Sequence, residues 1–144
     1  MKFLKISLLL LFVIAPLCHA QEEVADTTKA ITTLLPDTYY AKLQEVADPV
    51  IIDVRDMGHY KKYKLSGSVH AATKQDLYNA MDTLDKEEPV FVYCEVGFRS
   101  NQATKLMAKE GFTNIYNLKK GIRNWKKEHF PVEKISRHER KKNE

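Results

Sequence analysis

The chain has 144 residues, enough for one domain and too few for two ordinary ones. With 44% hydrophobic and 29% charged residues it has a globular balance, which excludes a disordered or collagen-like chain. The formal charge of +4 comes from the ends: residues 21–133 hold 16 bases and 17 acids, so a nucleic-acid-binding core with a phosphate-spaced basic face is disfavoured.

Residues 1–20 read as a secretory signal peptide. Lys2 and Lys5 form its positive start, the run 6–15 is apolar apart from Ser7, and Pro16 breaks it before the small Ala20. A membrane-spanning helix needs about 20 apolar residues, so this run is too short to anchor the chain. Lipid attachment at Cys18 fits poorly with Ala15-Pro16-Leu17 before it. The expectation is an exported protein, periplasmic or secreted, with no stable membrane insertion once the leader is removed. Cys94 is then the only cysteine of the mature chain, and no intramolecular disulfide can form.

Residues 21–35 are polar and Thr-rich and read as an N-terminal arm. Pro36-Asp37-Thr38 signals a helix start with Asp37 or Thr38 as N-cap, followed by Tyr39, Tyr40, Leu43 and Val46 at helical spacing. Pro49 ends that helix, and the β-branched run 50–54 reads as a buried strand. Residues 55–58 are expected as a loop, Ser66-Gly67-Ser68 as a turn, and 69–71 as a brief strand. An amphipathic helix over 75–84 turns Leu77, Met81 and Leu84 inward. The clearest strand is 90–93, followed by a helix over 100–110 that stops at Gly111. A last strand over 115–118 and a last helix over 121–129, packed around Ile122 and Trp125, complete the pattern. Strands alternating with helices predict an α/β domain with a parallel sheet covered on both faces. Residues 134–144, with five bases and two acids, read as a basic charged tail.

The informative stretch is Cys94-Glu95-Val96-Gly97-Phe98-Arg99-Ser100, running from the carboxyl end of a buried strand to a helix N-terminus. Ligand sites of open α/β sheets lie there. A tight loop around Gly97 is expected to turn its amides inward as an anion-binding nest, reinforced by the helix behind it. A thiol in that nest is placed to act as a thiolate nucleophile, with Arg99 adding a cation to the rim.

Cys94-x-x-Gly97-x-Arg99-Ser100 resembles the active-site loop of rhodanese-like sulfurtransferases. Asp53-Val54-Arg55 resembles the strand end of that family, Gly67-Ser68-Val69-His70-Ala71 a degraded form of its next segment, and residues 111–118 with Gly121-Ile122 and Trp125 its closing strand and helix. The resemblance spans about residues 35–132. It implies a rhodanese-like domain over residues 36–133, with a central parallel β-sheet of about five strands flanked by helices on both faces. It also implies catalytic Cys94 and Arg99, and a substrate-binding loop of Glu95, Val96, Gly97, Phe98 and Ser100. Asp53 and Arg55 would stabilise neighbouring loops, with Arg55 within reach of the site mouth. The implied reaction moves sulfane sulfur from thiosulfate, a mercapto acid or a protein persulfide to a thiol or cyanide-like acceptor. It proceeds through a Cys94 persulfide, with no metal or organic cofactor.

Two other readings stand beside this one. Cysteine phosphatases and arsenate reductases need five residues between Cys and Arg, whereas here four, 95–98, make a ring better sized for one sulfur. A binding or regulatory module without turnover is the other, against which the retained Cys94, Gly97 and Arg99 speak. Glu95 puts a carboxylate where a dianion would approach, so Glu95→Lys is expected to raise thiosulfate turnover.

Overall fold

The computed structural model describes residues 27–135. The expected leader, residues 21–26 of the arm and residues 136–144 of the tail lie outside them. A short helix α1 (Thr27–Ala30) leads into β1 (Ile31–Leu34), and α2 (Pro36–Gln44) into β2 (Val50–Asp53). Next come α3 (Met57–Tyr60), β3 (Tyr63–Lys64), β4 (Val69–His70), α4 (Lys74–Met81) and β5 (Val90–Tyr93). The chain continues through α5 (Phe98–Lys109), β6 (Ile115–Leu118), α6 (Gly121–Lys127) and β7 (Glu133–Lys134). No helix among the described residues is long and apolar enough to cross a membrane.

Five strands form one parallel sheet, as expected, in the order β1-β6-β5-β2-β4, which the sequence did not specify. Alternation along β5 explains both covering layers: side chains point to opposite faces every second residue. Val90 and Val92 face α4 and α5, joining Ile52, Leu77, Met81 and Met107 in one apolar cluster. Phe91 and Tyr93 face α2 and α6, joining Tyr39, Leu43, Ile122 and Trp125 in the other. Tyr39 meets Phe91 and Trp125 edge-on, with centroids 5.4 and 6.0 Å away. Trp125 is core packing, and its Nε1–H donates to the Pro131 carbonyl at 2.8 Å.

Four features differ from the expectation. The arm is not wholly outside the fold, because Ile31–Leu34 pairs in register with Ile115–Leu118 as an edge strand. An edge strand buries little, and the exposed Thr32 and Thr33 hide its signal from a hydrophobic pattern. Lys134 likewise belongs to β7, which pairs antiparallel with β3, so the tail begins after a strand. The N-cap of α2 is Leu35 rather than Asp37 or Thr38, since Pro36 already occupies the first turn, where its missing N–H costs nothing. Residues 57–60 coil into α3 instead of a loop, because the Asp56 carboxylate accepts the His59 N–H and caps the turn.

The sheet order sets the site. From β2 the chain moves outward to β4, and from β5 it moves the opposite way to β6. The adjacent carboxyl ends of β2 and β5 therefore flank a topological switch point, where open parallel sheets bind ligands. Asp53 ends one strand and Cys94 follows the other.

Candidate active site

Cys94 continues the alternation of β5 toward the α5 face and lies beneath the start of that helix. Its side chain is enclosed, at 1% exposure, yet Sγ is turned to the loop: the Gly97 N–H donates to it at 3.1 Å. Gly97 has φ 93°, a left-handed conformation that ordinary side chains resist, and serves as the N-cap of α5. A Cβ there would stand 3.1 Å from the Lys120 nitrogen, so glycine also admits the neighbouring chain. Behind Gly97, the first-turn amides of the 12-residue α5 have no acceptor within their helix, and its dipole favours negative charge at this end.

The buried Ser100 hydroxyl does not serve the sulfur; it donates back to the Gly97 carbonyl at 3.2 Å and braces the loop. Arg99, expected on the rim, is 43% exposed and stands 3.5 Å from the Asp56 carboxylate. Hydrogen bonds from His59, aided by Arg99, pull the Asp56 carboxyl down to about 2. Val96 and Phe98 project outward, 48% and 68% exposed.

Glu95 is the largest departure. Its carboxylate lies 3.3 Å from the Arg55 guanidinium and 3.6 Å from Arg123, and accepts from the Tyr63 hydroxyl at 3.4 Å. Two cations and a phenol compensate the charge expected to repel a dianion. Arg55 is itself fully buried. Its Nε and Nη2 donate to the Asp53 carboxylate at 2.7–3.0 Å, and Nη2 also reaches the Tyr63 carbonyl at 2.6 Å. Burial pulls the guanidinium toward neutrality, but the hydrogen bonds and charge of Asp53 outweigh it, so Arg55 is held more firmly cationic than usual. Asp53 and Arg55 thus support the loop, and Arg55 reaches the nucleophile's neighbour rather than open solvent.

Some contributors carry little signal in the sequence. The amides of Ile122 and Arg123 at the start of α6 donate to the Cys94 and Glu95 carbonyls at 2.9 and 3.1 Å. Gly121 makes that approach possible, since a Cβ there would fall 2.5 Å from both carbonyl oxygens. A glycine at a helix start was the available clue. Tyr93 adds a strut from the sheet: its hydroxyl accepts the Leu65 N–H and shares a hydrogen bond with Ser68, each at 3.1 Å. Burial, followed by the charge of Asp53, pushes its phenol up, so it stays protonated. His70 is structural, with Nε2 bonded to the Arg55 carbonyl at 2.8 Å. No cluster among the described residues has the make-up of a metal site.

Known proteins are similar to this chain in sequence and fold. The chain is 28% identical over 105 residues to the thiosulfate sulfurtransferase GlpE of Glaesserella parasuis, covering 73% of this chain and 95% of the relative. It superimposes on the polysulfide-sulfur transferase homodimer of Wolinella succinogenes with a TM-score of 0.63 and 33% identity, covering 78% of this chain and 85% of that one. The rhodanese-like domain of an Anabaena protein gives a TM-score of 0.64 at 25% identity, covering 72% and 79%. The family model of the rhodanese-like domain matches residues 36–128, and with its switch-point cysteine and parallel sheet the chain belongs to that family.

Proposed function

We propose that the protein is an exported sulfurtransferase that carries sulfane sulfur as a persulfide on Cys94. The observation that carries this reading is the Gly97 N–H directed at Sγ from the mouth of α5. A main-chain donor and a helix N-terminus favour a negative sulfur without supplying a proton to quench it. The names of relatives that transfer sulfur from thiosulfate or polysulfide support the same chemistry.

In the first half-reaction the Cys94 thiolate attacks the outer sulfur of the donor. For thiosulfate an S–S bond forms to Cys94, the donor's S–S bond breaks, and sulfite leaves with the electron pair. In the second, an acceptor such as a thiolate or cyanide attacks the outer sulfur of the persulfide. The Cys94 thiolate leaves, and the acceptor keeps the sulfur. This is double-displacement covalent catalysis.

Mass spectrometry after incubation with thiosulfate, mercaptopyruvate or a protein persulfide should show one added sulfur on Cys94, lost on addition of cyanide with release of thiocyanate. Cys94→Ser should abolish both. Thiocyanate release that survives this substitution, or a wild-type protein that takes up sulfur from none of the three donors, would overturn the reading.

A further inference from the structure

We propose that the surface beside the nucleophile, formed by Val96, Phe98 and the start of α6, docks an acidic protein whose own thiol exchanges sulfur with Cys94. The inference rests on the sulfur-transfer reading and adds the partner's chemistry to it. Cys94 is enclosed, so an exchanging thiol must be brought to the loop mouth by whatever carries it. The two side chains that mark that mouth are a valine and a phenylalanine standing in solvent. Exposed cations lie around them: Lys119, Lys120, Arg123 and Lys127. Residues 114–127 contain five bases and no acid, although residues 21–133 as a whole are almost balanced.

Two shallow depressions place these groups on one continuous surface. One, of about 340 Å³, is lined by Val96, Lys120, Arg123 and Lys127. The other, of about 390 Å³, has Val96, Phe98, Lys119 and Lys120 on its walls and Asn117 at its floor. Val96 and Lys120 belong to both. The cations cannot drift from the nucleophile, because the amides of Ile122 and Arg123 bind the carbonyls of Cys94 and Glu95. The nearest carboxylate, Glu95, is already compensated by Arg55 and Arg123.

A small sulfur oxyanion accounts for this surface poorly. It has no apolar area to set against Phe98. A peptide offers apolar side chains and carboxylates together. A lipid surface would satisfy the cations but brings no thiol. Apolar anchors ringed by exposed cations fit a brief, salt-sensitive contact whose charges act mainly on the association rate.

The test uses two synthetic cysteine peptides of equal length and apolar content, one rich in Glu and one in Lys, as acceptors from the persulfidated full-length protein. The acidic peptide should take sulfur at least tenfold faster at low salt, and the advantage should shrink as salt rises. Lys119→Glu with Lys127→Glu should remove about tenfold of that rate while cyanide-dependent thiocyanate release stays unchanged. A control with equal charge change on α5, Lys105→Glu with Lys109→Glu, should leave both rates alone. Equal rates for the two peptides, or equal loss in the control variant, would overturn the docking face. So would capture by anionic phosphatidylserine vesicles through Lys119 and Lys127 without any peptide preference. Absence of thiocyanate release from the wild type would instead remove the underlying sulfur-transfer reading, and this inference with it.

Discussion

At the residue scale, the chain Asp53–Arg55–Glu95 links the buried end of β2 to the residue after the nucleophile. A buried ion pair contributes little net stability, because desolvation offsets its attraction, but breaking one leaves an uncompensated charge and costs about 3–5 kcal/mol. The Arg55 guanidinium, fully buried against Asp53, is in that position. Reversing the neighbouring charge would set an ammonium against it. Glu95→Lys is therefore expected to lower thiosulfate turnover and to cost about 2 kcal/mol in urea unfolding, with Glu95→Gln milder in both. A faster thiosulfate reaction with unchanged stability would show instead that Glu95 guards the entrance.

At the element scale, the loop is held between two helix starts that meet it backbone to backbone. Gly97 opens α5 and Gly121 opens α6, and each lets main chain approach where a side chain would collide. At Gly121 the collision would be with the carbonyls of Cys94 and Glu95, and φ 64° adds strain for any other residue. Gly121→Ala should therefore destabilise the fold by about 2 kcal/mol or more, from strain and overpacking together. Thiocyanate release should fall further than the folded fraction, because the displaced atoms belong to the nucleophile's own peptide. A variant that loses stability but keeps full activity per folded molecule would show that α6 does not position the loop.

At the scale of the whole molecule, parallel strands gather their carboxyl ends along one edge. Cys94, Arg55 and the cations after β6 meet there despite their distance in sequence. The near-neutral body makes the local cationic surface stand out. Export remains an expectation from residues 1–20. The full chain expressed in a Gram-negative host should appear in the periplasm with Gln21 at its N-terminus by mass spectrometry, and a version lacking residues 1–20 should stay in the cytosol. Recovery of the full chain in the cytosol with Met1 intact would refute it.

Hydrophobic period and turn chemistry alone were enough to identify the α/β class, the central strands, the stop of α5 at Gly111 and a tight strand-to-helix turn after Cys94, although α5 begins at Phe98 rather than Ser100. Those signals are local: β-branched runs, helical spacing, and a glycine between strand and helix. β1 escaped because an edge strand with exposed threonines has no strong pattern of its own, and its identity comes from pairing with β6. The orientations of Glu95, Arg99 and Ser100 escaped for a related reason. Polar side chains here go wherever a partner satisfies them, and Arg55, Asp56 and the Gly97 carbonyl are those partners. Covalent neighbours determined which residues make up the site; the juxtaposition of β2, β5 and α6 decided which of them face the sulfur, because charge and hydrogen-bond compensation act through space.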